Sequence, residues 1–142
     1  MLFRSHTQEP VIAILPDQLH IKKKGGTMRL GAYPAVLKEG SLAHRLYSQY
    51  RPDEVDGTTI SERHRHRYEV NPDYHQQLTA GGLVFSGVSP DGSLAEFIEL
   101  PSDIHPYFIA TQAHPEFKSR PHRPHPLFAG LIEAALKKQV SA

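Results

Sequence analysis

The sequence has 142 residues, 39% of them hydrophobic and 22% charged, the proportions of one globular domain able to bury a core. With 16 basic side chains against 15 acidic ones the formal charge is +1, which excludes a global field for nucleic acid or an anionic membrane. Cysteine is absent, which excludes disulfides and thiolate metal sites, and no apolar run approaches the roughly 18 residues of a membrane span.

Met1-Leu2-Phe3-Arg4 leads into polar residues rather than a signal-type apolar core, so a soluble, cytoplasmic protein is expected. Residues 1–9 read as a loose N-terminal segment, and residues 10–142 as the folded unit. Pro10 and Pro16 bracket a short apolar run that fits either a strand or a buried turn. Lys22-Lys23-Lys24-Gly25-Gly26 is a solvated, flexible turn, because a phosphate-binding loop would need a helix to follow it. Residues 27–37 alternate as a strand, with Met28, Leu30 and Ala32 on one side, and Pro34 places it near an edge. Ser41 is a helix N-cap, Leu42, Ala43, Leu46 and Tyr47 follow at helical spacing, and Pro52 ends the element before an acidic loop.

Residues 61–70, Ser-Glu-Arg-His-Arg-His-Arg-Tyr-Glu-Val, carry the first chemical signal. If they are extended, Arg63, Arg65 and Arg67 point one way and His64 and His66 the other. Guanidinium forks on one face suit a carboxylate or phosphate. A solvated basic loop, an RNA-contacting arm and a metal site through the two histidines compete with that reading, and flanking Glu62 and Glu69 weaken the nucleic-acid one. Asn71 or Asp73 then caps a short helix that Gly81-Gly82 stops, and residues 83–88 and 94–100 flank a Ser-Pro-Asp-Gly-Ser turn with hairpin chemistry.

A further strand, from Tyr107 to Ala110, delivers the chain into Thr111-Gln112-Ala113-His114-Pro115-Glu116-Phe117. Proline steers His114 toward an extended conformation, in which side chains two apart share a face, so Glu116 is expected to reach the His114 ring. A carboxylate-held histidine is a general base and then acid for a nucleophile within reach, although a surface loop carries the same residues without function. His122 and His125 lie in a proline-rich connector that reads as polar surface rather than a zinc site. Pro126 opens a terminal amphipathic helix with Leu127, Leu131, Ala134 and Ala135 as its apolar stripe and Lys137 and Lys138 at its negative end. Strands with helices between and after them indicate an α/β domain.

Gly25-Gly26-Thr27-Met28-Arg29-Leu30-Gly31, the Glu62-to-Asn71 run and Gln112-Ala113-His114-Pro115-Glu116-Phe117, in this order, resemble the C-terminal part of CTP synthase. The resemblance implies a class I glutamine amidotransferase three-layer fold, incomplete because the N-terminal half of the domain lies upstream of Pro10. It also implies a ligase of pyrimidine biosynthesis that aminates UTP to CTP with ATP and magnesium, taking ammonia from glutamine through a Cys-His-Glu triad. The positions matching the last two triad members are His114, as base and then acid, and Glu116, as orienter; Arg67 matches the residue that holds the glutamine carboxylate. GTP activation and a tetramer belong to the family and fall on no particular residue here.

The family's nucleophile, its oxyanion loop and the synthetase domain all fall upstream, so these 142 residues alone are expected to bind no cofactor and to leave glutamine intact. An exposed apolar face and an unpaired strand edge should mark where the other half docks. A non-catalytic glutamine- or nucleotide-binding regulatory module is the alternative.

Overall fold

A computed structural model describes residues 7–14 and 29–140; Lys22-Lys23-Lys24-Gly25-Gly26 and Met28 lie outside the described residues. Strand β1 (Ile12–Ile14) pairs antiparallel with β4 (Tyr68–Val70) in a small two-stranded sheet. The larger sheet has the order β3-β2-β5-β6-β7, with β2 (Arg29–Leu37), β3 (Thr59–His66), β5 (Val84–Val88), β6 (Ala95–Glu99) and β7 (Ile109–Thr111). Every ladder in it is antiparallel. Strand β2 pairs with β3 along almost its whole length but meets β5 only at Val36 and Leu37. Pro34, which has no N–H to donate, therefore sits where β2 is bonded on one side alone.

Helix α1 (Leu42–Tyr50) begins where the sequence predicts, because Ser41 accepts from the amide of His44 at 3.1 Å. Glu99 at the end of β6 reinforces that terminus, accepting from the amides of Leu42 (2.9 Å) and Ala43 (3.1 Å). Asn71 caps the short 3₁₀ turn Pro72–Tyr74, which runs into α2 (His75–Ala80). Gly82, at φ 96°, closes α2 in the left-handed conformation that favours glycine. Asp91 ties the β5–β6 turn through the hydroxyls of Ser89 and Ser93; these bonds, Ser89 first, lower its carboxyl pKa to about 2.

The core lies between this sheet and two helices, α1 and α3 (Pro126–Val140), and is built from Ala35, Leu37, Ala43, Leu46, Tyr47, Ile60, Phe97 and Leu127. Helix α3 turns inward Pro126, Leu127 and Gly130, whereas Leu131, expected in its apolar stripe, is 51% exposed. Gly130 explains the rotation: a Cβ there would lie 2.5 Å from Leu46, so the glycine lets α3 approach α1 more closely than a side chain allows. Phe128, Ile132 and Leu136 join Leu131 in an exposed apolar face. No helix among the described residues is long and apolar enough to cross a membrane.

Candidate active site

Two strands from opposite ends of the sheet order hold His114. From the β7 side, Thr111 Oγ1 donates to the Glu96 carbonyl (2.9 Å) and accepts from the Ala113 amide (3.0 Å), and the Gln112 side chain donates to the Ala95 carbonyl (2.7 Å). From the β3 side, the His114 amide donates to the Arg63 carbonyl at 2.8 Å. Because β5 leaves most of β2 uncovered, the sheet curls at this end and β2 reaches β6 directly through Arg29 and Glu96.

Beyond His114 the chain leaves the extended conformation. Pro115–Phe117 is a 3₁₀ turn closed by the Phe117 amide on the His114 carbonyl (3.1 Å), and proline at its first position presets the fold-back. Residues two apart no longer share a face, so the expected approach of Glu116 to the His114 ring is not made. Glu116 is exposed, and the His114 ring lies nearly parallel to that of Phe117, with centroids 5.4 Å apart and planes at 13°. Among the described residues, Nδ1 of His114 is buried and has no hydrogen-bond partner.

The arginine row alternates as the sequence predicts: Arg63 and Arg65 are exposed, while Glu62 and His64 are buried. The guanidinium carbons of Arg63 and Arg65 each lie 5.9 Å from the Phe117 ring centroid. Arg67, half-buried in the corner between β3 and β4, makes no hydrogen bond or ion pair among the described residues and is the cation left available.

What sequence reasoning missed is a buried polar cluster behind this surface. Arg29 donates to Glu96 (2.6 Å) and Glu69 (3.4 Å). The Nδ1 of His64 meets Nε2 of His66 at 2.8 Å, and Nδ1 of His66 donates to the Tyr68 carbonyl at 3.0 Å. Burial, then Arg29 and His66, pull the His64 imidazole down to a pKa of about 3. Burial raises Glu96 and Glu69 above the usual carboxylate range despite Arg29.

The two connector histidines part company. His122 is exposed, but His125, expected at the surface, is only 1% exposed, and its Nε2 lies 3.1 Å from both Glu62 Oε1 and the Tyr47 hydroxyl. The correction follows from Pro126, which starts α3 in the core and draws the preceding ring in with it. Burial would raise the Glu62 carboxyl, yet His125, Lys118 and the Tyr47 hydroxyl together hold it below its ordinary value. Among the described residues no group of three or more His, Asp or Glu side chains is placed to hold a metal ion.

Residues 8–134 match the family described as glutamine amidotransferase class-I. The chain is 63% identical to a CTP synthase of Methanococcus aeolicus over 92% of its length and 23% of that protein, and 55% identical to one of Nocardia farcinica over 98% and 24%. It thus spans about a quarter of the length of the curated relatives it matches. Among solved structures, the glutaminase domain of Trypanosoma brucei CTPS with bound acivicin superposes with a TM-score of 0.79 at 34% identity, covering 95% of this chain and 49% of that one.

Proposed function

The chain belongs to the class-I glutamine amidotransferase family, and from that premise we propose that it is the base-carrying half of the glutaminase unit of a CTP synthase. In this reading His114 is the general base and then acid, Glu116 orients its ring, and Arg67 holds the glutamine carboxylate. The nucleophilic thiol comes from outside these 142 residues, which contain no cysteine.

His114 takes the thiol proton, and the thiolate attacks the side-chain amide carbon of glutamine. The imidazolium returns its proton to the departing nitrogen, giving ammonia and a glutamyl thioester. A second transfer through the same ring activates water and releases glutamate, so the sum is glutamine and water to glutamate and ammonia.

One observation carries the proposal: the buried, unpartnered Nδ1 of His114 on a backbone pinned to two strands. A structural histidine buried to this extent is ordinarily bonded; this one keeps a nitrogen open for an orienting carboxylate, and Glu116 is two residues away. Arg67 supports the second role by remaining unengaged where Arg63 and Arg65 are not. The ammonia serves amination of UTP by the synthetase part of the protein, where ATP and magnesium act; GTP activation, a tetramer and a cytoplasmic setting belong to the same proposal.

Mixing the chain with a cysteine-bearing upstream half of the domain tests it. Glutaminase activity should appear only in the mixture, and His114→Ala should abolish it while the two halves still co-elute. Activity that survives the substitution refutes the role of His114.

A further inference from the structure

The histidine pair behind the base, buried His64 and half-buried His66, takes no part in the steps above, yet the His66 ring lies 6.4 Å from that of His114 with planes at 12°. We propose that His66 is a positioning residue for His114, fixed in one uncharged tautomer by a hydrogen-bond chain that runs from the Tyr68 carbonyl through His66 to His64. The inference rests on His114 being the base.

The protons can be placed from geometry. A carbonyl oxygen only accepts, so His66 Nδ1, 3.0 Å from the Tyr68 carbonyl, carries a hydrogen. In the uncharged ring Nε2 is then bare and must accept, which assigns the hydrogen of the 2.8 Å contact to His64 Nδ1. That leaves His64 Nε2 bare, 3.6 Å from Glu96 Oε2 and not hydrogen-bonded to it. The competing arrangement, a doubly protonated His66 with His64 bearing its hydrogen on Nε2, puts a cation in a pocket that already holds Arg29.

The groups around His66 favour the uncharged form on balance. Arg29 sits opposite it in the β2–β3 register, His64 and His114 are its ring neighbours, and Glu69 Oε1 lies 3.6 Å from its Nδ1. Burial lowers its pKa, the Tyr68 carbonyl opposes that, and Arg29 and His114 lower it further. The consequence reaches the chemistry: His114 must become an imidazolium in each half of the reaction, and a second positive ring beside it would oppose that step. An uncharged ring of fixed orientation leaves the step unopposed and limits how far the His114 ring can turn.

Long-range proton–nitrogen NMR on the 15N-labelled chain reads both points directly. His64 and His66 should each show the Nδ1–H pattern of an uncharged ring at pH 7. In His66→Lys, a permanent cation should move the His114 titration midpoint down by roughly one unit, a tenfold loss of proton affinity, whereas His66→Gln should leave it near the wild-type value. An Nε2–H or protonated His66 at pH 7 overturns the proposal without any substitution, and so does a His114 midpoint that ignores the lysine. These readouts do not depend on glutamine turnover, so the proposal can fail while His114→Ala still abolishes activity; if His114 proves not to be the base, the His66 tautomer can stand but its positioning role falls.

Discussion

Two histidines in this chain are each followed by proline and each introduce a helical turn, His114-Pro115 and His125-Pro126, yet the fold treats them oppositely. His125 is sunk in the core, and its Nε2 lies 3.1 Å from both Glu62 and Tyr47. His114 is half-buried, held by its backbone, and its Nδ1 is left without a partner. On the proposed reading, the difference separates a ring that stabilises structure from a ring kept available for chemistry. Burial alone does not make that distinction; the state of the ring nitrogens does.

The contrast can be broken by exchanging consequences. Replacing His114 by alanine in the reassembled domain should lower the glutaminase rate by about 10²–10⁴-fold, the contribution of a general acid–base residue, with little change in melting temperature. Replacing His125 by alanine should do the reverse. Removing its ring empties a core site and takes a hydrogen bond from buried Glu62, a loss of about 2–4 kcal/mol in denaturant unfolding. If both substitutions act mainly on stability, the division between the two rings is wrong.

Acid sharpens the same contrast from the side of the buried cluster. His64 in the folded chain has a pKa of about 3 against an ordinary 6.5, so the unfolded chain binds the extra proton between those values. Its contribution to stability is therefore complete above about pH 6.5 and is lost as the pH falls toward 3, reaching about 2 kcal/mol by pH 5. Glu69 and Glu96, whose folded pKa values are raised, take up protons on folding above their ordinary value and offset some of the loss. Urea unfolding at pH 7 and pH 5 should show the decline, and His64→Asn should flatten it. The smallest expected effect is behind His125: Gly130→Ala should destabilise by about 1 kcal/mol, since overpacking against Leu46 exceeds the gain in helix propensity.

Local signals were legible because their causes are local. The Ser41 cap, the Asn71 cap and the Ser-Pro-Asp-Gly-Ser turn each act within a few residues, and each stands where the sequence puts it. The alternation of residues 61–66 was also legible, but period two says which residues share a face and not which face is buried. That the inward row would be Glu62, His64 and His66 depended on Arg29 meeting Glu96, 67 residues away, and on Tyr47 and His125 meeting Glu62. The tilt of α3 depended in the same way on one glycine against a leucine in another helix. His114, Glu116 and Arg67 were found through the motifs, whereas the turn that separates Glu116 from the His114 ring follows from hydrogen bonds across Pro115.

The bond from the His114 amide to the Arg63 carbonyl has one more consequence. Arg63 and Arg67 belong to one continuous ribbon, so the spacing between the proposed proton carrier and the proposed substrate clamp is set by how β3 is threaded against β2. Sliding that ribbon by a single step would turn His64 and Glu62 outward, bring the arginines into the core, and misplace clamp and base together. Alignment of two strands thus doubles as the ruler of the proposed site, and variants that loosen the β2–β3 pairing should, in the reassembled domain, lose turnover before they lose the fold.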